Sequence, residues 1–90
     1  MNTLSVIVEF FGTFLLLIAI FATGNALVIG GTLALLIVIA GGISGGHMNP
    51  AVSVAMWLNG GLSVADLLGY LVAQYAGGAA ALYAYRAVLV

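Results

Sequence analysis

The sequence predicts an all-α membrane protein in one domain, residues 1–90, with three transmembrane helices and a re-entrant loop that carries a half-helix. Three observations point there. Of the 90 residues 66% are hydrophobic, and only Glu9, Asp66 and Arg86 carry a formal charge at neutral pH. A soluble domain of this size needs a charged surface, so the bilayer is the solvent that fits. Three apolar stretches, at about 5–23, 26–43 and 64–90, approach the ~20 residues that span a hydrocarbon core. Between the second and third lies a glycine-rich segment followed by a short apolar run that cannot cross.

The same composition excludes several function classes. There is no cysteine, hence no disulfide framework, thiol nucleophile or cysteine metal site. One basic residue cannot hold nucleic acid. The chain offers no Ser/His/Asp arrangement, carboxylate pair or metal-ligand cluster, so neither an enzyme nor a cofactor is expected. The N-terminus lacks Lys and Arg and its apolar run outlasts a signal core, so no cleavable signal is expected.

The first span, Ser5 to Thr23, is interrupted only by Glu9, Gly12 and Thr13, and Thr23-Gly24-Asn25 reads as a tight turn. The second, Ala26 to Ile43, is rich in Leu, Ile and Val. The third starts clearly, because Ser63 with Asp66 three residues on resembles a capping box. Along it Ala65, Gly69, Ala73, Gly77 and Ala81 recur every four residues, a small-residue stripe for close helix crossing. Trp57, Tyr83 and Tyr85 read as interfacial anchors, and Arg86 as a side chain reaching the head groups.

The segment between the second and third spans, Gly41 to Ser53, is the most informative. Four glycines in six residues (41, 42, 45 and 46) make no confident helix. Asn49-Pro50 is a helix start, with Asn as N-cap and Pro at the first helical position. The apolar run that follows ends at Leu58, before Asn59-Gly60-Gly61. A helix from Pro50 to Leu58 would be about 13 Å long, half of a ~30 Å core. Glycine-rich backbone entering a bilayer, then a half-helix, exposes unpaired carbonyls that are tolerable only buried in protein or lining a water-filled path. That implies a pore or a binding site.

Ser44-Gly45-Gly46-His47-Met48-Asn49-Pro50-Ala51-Val52-Ser53 resembles the first signature loop of the aquaporin and glycerol-facilitator family. Glu9-Phe10-Phe11-Gly12-Thr13-Phe14, Tyr70 and Ala73-Gln74 match it outside the loop. The resemblance implies half of an aquaporin-like fold, since family members carry six spans in two inverted halves, each with one such loop. It also marks a departure: the second-half loop carries a filter arginine where this chain has Val52.

The family implies a channel for water or small uncharged solutes such as glycerol, urea or ammonia, closed to protons. Asn49 would cap the half-helix with its oxygen and donate from its amide to the permeant, while Gly45, Gly46, His47 and Met48 supply a ladder of carbonyl acceptors. Pro50 and Ala51 seat the half-helix. His47 braces the loop or titrates as a gate, with bracing preferred. Glu9, a carboxyl group inside an apolar span, needs a partner. By resemblance it accepts loop amides; as a transporter's proton carrier it would lack a second intramembrane acid. Gln74 braces the loop or bonds between helices. By the family's spacing, the constriction falls on Ile29, Ile37, Gly46 and Val52.

One half encloses no pore. The expected partners are therefore the lipid bilayer, the permeant, and a second copy paired antiparallel as a homodimer or higher oligomer in a cell or inner membrane, with no nucleic acid. Arg86 and the α-amino group pull orientation in opposite senses, so dual insertion is permitted. The alternatives are a fragment of a six-span channel and a non-conducting accessory or relic subunit.

Overall fold

The structure, a computed structural model, describes residues 2–90. It consists of four helices: α1 (Thr3–Thr23), α2 (Ala26–Ala40), α3 (Pro50–Leu58) and α4 (Val64–Val88). Among the described residues there is no strand. α1 and α4, of 21 and 25 residues, are long and apolar enough to cross a membrane.

Local chemistry sets most of the ends. Asn2 caps α1, its side-chain oxygen accepting from the Ser5 amide at 3.1 Å. Gly24 stops α1 in the left-handed region at φ 57°, where glycine carries no steric penalty. Asn25 then caps α2, accepting from the amides of Leu27 and Val28. Ser63 caps α4 by accepting from the Asp66 amide at 3.1 Å. The second half of the expected capping box is not made: the Asp66 carboxylate accepts from the Asn2 amide at 2.7 Å instead. That bond ties the first turn of α4 to the start of α1.

α2 ends at Ala40, three residues before the expected Ile43. Its 15 residues give a rod of roughly 22 Å, short of a ~30 Å core. Beyond Ala40 the chain tightens into turns. Ile43 and Ser44 both return their amides to the Ala40 carbonyl at 2.9 Å. The next carbonyls are then taken by other elements: Ser5 Oγ of α1 donates to Ile43 O and Tyr70 OH of α4 donates to Ser44 O, each at 2.7 Å. α4 likewise stops at Val88 rather than Val90, with Leu89 as its C-cap.

α1 packs chiefly on α4, α2 on α1, and α3 on α4. α1 and α4 run parallel, meeting at Asn2–Asp66 near one end and at Phe21–Tyr85, ring centroids 5.8 Å apart, near the other. Of the small-residue stripe, Ala73, Gly77 and Ala81 are buried, Gly69 is half-buried and Ala65 exposed. A four-residue repeat drifts about 40° per step around a 3.6-residue helix, so a straight stripe leaves the contact at one end. Trp57 and Tyr83 are exposed, whereas Tyr85 is half-covered by Phe21.

The interior is polar and the surface apolar. Ser5, Glu9 and Thr13, spaced by four, are buried along α1 opposite Tyr70 and Gln74 on α4. Leu27, Val38, Val72 and Leu68 are exposed. In lipid this is the arrangement expected, since apolar side chains cost nothing outside and polar groups need internal partners.

The α1–α4 crossing yields the first prediction. A Cβ at Gly77 would lie 2.5 Å from the Phe10 carbonyl oxygen and 3.3 Å from the Phe14 amide, both backbone. Gly77→Val is expected to destabilise by about 1–3 kcal/mol through overpacking. Gly78→Ala, whose new methyl would meet only Leu17 Cγ at 3.8 Å, is expected to be tolerated. Thermal unfolding in detergent should separate the two variants.

Candidate functional site

The site is built on one carboxylate. Glu9, fully buried, accepts four hydrogen bonds. The Met48 amide and Gln74 Nε2 donate to Oε1 at 2.8 and 2.9 Å. The His47 amide and the Ser44 hydroxyl donate to Oε2 at 3.1 and 2.6 Å. Ser44 Oγ in turn accepts from the Gly46 amide at 3.2 Å. A carboxylate offers about four lone-pair sites, so this acceptor is saturated.

The His47 and Met48 amides turn to Glu9 on α1 and the Gly46 amide to Ser44 Oγ, and this sets which backbone groups the loop leaves unpaired. The carbonyls of Gly45, Gly46, His47 and Met48 accept no hydrogen bond among the described residues. The backbone reaches this shape through positive φ at Gly45 (91°), Gly46 (64°) and Met48 (54°). Glycine visits that region freely, but for methionine it is strained, of order 1–3 kcal/mol. Two contacts hold Met48 there: its amide on Glu9, and its buried thioether seated where Gly12 lacks a side chain.

α3 follows directly. Asn49 is extended at φ −156° and exposed, and its Oδ1 accepts from the Ala51 amide at 2.8 Å. Its side-chain NH2 has no partner among the described residues, which leaves two donors at the positive end of a nine-residue helix. Pro50 occupies the first turn, where its missing N–H costs nothing.

His47 is buried, with Nδ1 2.8 Å from Ser53 Oγ and its ring edge-on to Tyr70 at 5.1 Å. Gln74 joins α1 to α3 by donating to both Glu9 and Ser53, the latter at 2.8 Å. The expected constriction residues lie on three segments: Ile29 and Ile37 on α2, Gly46 in the loop and Val52 on α3. Gly46 packs on Ile37, where a Cβ would come within 3.0 Å of Ile37 Cα. Ile29 lies eight residues earlier on α2, about 12 Å along its axis. Val52 is half-buried on α3.

Ser5 carries no functional reading in the sequence, and Ser44, Ser53 and Tyr70 enter only through the family match, yet all four hold the loop. For two of them a signal existed. Ser5 shares the four-residue spacing of Glu9 and Thr13, and Tyr70 precedes Gln74 by four, so each pair marks a polar lane on an apolar helix. Ser44 and Ser53 carry no such periodicity.

The family model for major intrinsic proteins matches residues 22–89. The chain belongs to the major intrinsic protein family. It is 44% identical over 78 residues to glycerol uptake facilitator protein-like 6 of Lactiplantibacillus plantarum, covering 77% of this chain and 36% of that protein. It is 43% identical over 88 residues to aquaporin Z of Brucella melitensis biotype 1, covering 81% of this chain and 39% of that protein. No solved structure matches the chain significantly. The chain thus spans a little over a third of the length of these curated relatives.

Members of the major intrinsic protein family are integral membrane channels and not enzymes. Selectivity in aquaporin-type pores comes from bore, lining donors and acceptors, and the positive ends of half-helices. Glu9 precedes the matched stretch, so its place in the site rests on its four hydrogen bonds.

Glu9→Leu should strand the buried His47 and Met48 amides, at about 1–3 kcal/mol each. Ser44→Ala strands the Gly46 amide and removes one of the four donors to Glu9, but leaves the other three in place, and should cost less. Folded yield and melting temperature in detergent are expected to fall in the order parent, Ser44→Ala, Glu9→Leu.

Proposed function

We propose that this chain forms one half of a narrow membrane pore that passes water and small uncharged solutes and excludes protons. α1, α4 and α2 with its following turns cross the bilayer, and residues 44–58 form a re-entrant loop with α3 as its half-helix. The observation that carries this reading is Asn49: it is exposed, its oxygen is spent on the Ala51 amide, and its NH2 has no partner among the described residues, directly after four residues whose carbonyls likewise have none. A water entering there receives hydrogen bonds from Asn49 and donates to the carbonyls. Its orientation is thereby imposed and proton hopping is broken.

The facing half-helix comes from a second copy inserted antiparallel, its α3 N-terminus opposed to this one at the midplane. Each mouth then combines Ile29 of one chain with Ile37, Gly46 and Val52 of the other. These groups are aliphatic or bare, so they hydrogen-bond no permeant and do not favour water specifically. Glycerol, urea and ammonia are passengers of such a mouth, and proton exclusion rests on the midplane. A second reading is favoured by the chain's span of 36% and 39% of its relatives: the inverted half belongs to the same, longer polypeptide.

Stopped-flow measurements on liposomes holding this chain alone test the proposal. Flux of water and at least one small neutral solute is expected. Asn49→Ala should cut it sharply while insertion persists, at a capping cost of about 1 kcal/mol. Strong water flux without glycerol, urea or ammonia flux would contradict the wide mouth. A parent that inserts but does not conduct favours the longer polypeptide. Tags at either terminus should be found on both sides of the membrane, and a single fixed orientation would rule out the antiparallel pair.

A further inference from the structure

The polar chain that starts at Glu9 ends on the one histidine of the sequence, and its direction can be followed bond by bond. Both Glu9 oxygens face backbone N–H groups that can only donate: the Met48 amide on Oε1 and the His47 amide on Oε2. The carboxylate is therefore an acceptor on both sides. That orients the Gln74 amide, because the reverse orientation would press its carbonyl oxygen against Oε1. Gln74 Oε1 is left buried without a partner among the described residues, as this orientation requires. The second Nε2 proton of Gln74 goes to Ser53 Oγ.

Ser53 must then place its own proton. The hydroxyls of Thr23 and Thr32 turn back to the carbonyls one helical turn earlier, each at 2.7 Å. Ser53 makes no such bond, and its other partner is His47 Nδ1 at 2.8 Å. Nδ1 is thus an acceptor, and a neutral imidazole with an accepting Nδ1 carries its proton on Nε2.

Nε2 has no protein partner among the described residues and is not among the fully buried polar atoms left without one. Beside it stands exposed Gly45, where a Cβ would come within 2.9 Å of Nε2. The missing side chain leaves the nitrogen open on the side of the unpaired carbonyls.

We propose that Glu9, Gln74 and Ser53 lock His47 in the Nε2–H tautomer, and that this N–H is a fixed hydrogen-bond donor to the permeating molecule. The permeant half of the inference rests on the pore reading above. The ligand is a water, or the hydroxyl or carbonyl oxygen of a small neutral solute. Gln74 and Ser53 are positioning residues that act through His47.

Solid-state NMR of the 15N-histidine-labelled chain in liposomes tests this with a single signal set. A protonated Nε2, an unprotonated Nδ1 and magnetisation transfer from water to the Nε2 proton are expected. Ser53→Ala should mix the tautomers, a change that a merely structural serine would not produce. In the same liposomes His47→Phe, which keeps a ring but no donor, should lower water flux several-fold. The Nδ1–H tautomer, or an Nε2 proton out of contact with water in a conducting protein, would overturn this inference alone. A parent with both NMR signals but no water flux would overturn the pore reading and the permeant half with it.

Discussion

A fully buried carboxylate on α1 is the constraint from which the rest follows. Removing an ionised group from water is expensive unless hydrogen bonds replace its hydration. Glu9 finds four such bonds, from the loop, from Ser44 and from α4. The charge and the loop therefore stabilise each other. Without Glu9 the His47 and Met48 amides lose their acceptor; without the loop Glu9 keeps only Gln74 as a donor.

The same arrangement makes the loop polar on its far side. A trans peptide whose N–H turns one way presents its C=O the other way, so the bonded amides of Gly46, His47 and Met48 send the carbonyls of Gly45, Gly46 and His47 to the opposite side, and none of these accepts a bond among the described residues. Asn49 follows with the opposite polarity, its NH2 without a partner among the described residues. No ionised side chain stands on that side among the described loop residues.

Holding Glu9 near Gln74 requires α1 and α4 to approach closely, and Gly77 makes that approach possible. Its Cα sits against the backbone of Phe10 and Phe14, one turn beyond the Glu9–Gln74 bond. The thioether of Met48 fills the notch at Gly12 from the loop side. Two glycines therefore position the carboxylate: Gly77 sets how near α4 comes, and Gly12 sets how deep the loop descends. Bulk at Gly77 would meet backbone, whereas bulk at Gly12 would meet the flexible end of the Met48 side chain.

Sequence alone determined what short-range chemistry controls. The Pro50–Leu58 helix, its Asn49 cap and the Gly24 stop follow from N-cap preference, proline's fixed φ and glycine's freedom at positive φ. The apolar surface and the need of Glu9 for partners follow from hydropathy and the cost of a bare charge. Tertiary structure decided the remainder. The turns after Ala40 are held by Ser5 and Tyr70 on the carbonyls of Ile43 and Ser44, partners 38 and 26 residues away. Asp66 turns to Asn2 instead of completing its own capping box because the first turns of two parallel helices meet. The roles of Ser44 and Ser53 exist only once Glu9, the loop and Gln74 converge, since hydrogen bonds across 35 and 21 residues leave no local pattern to read.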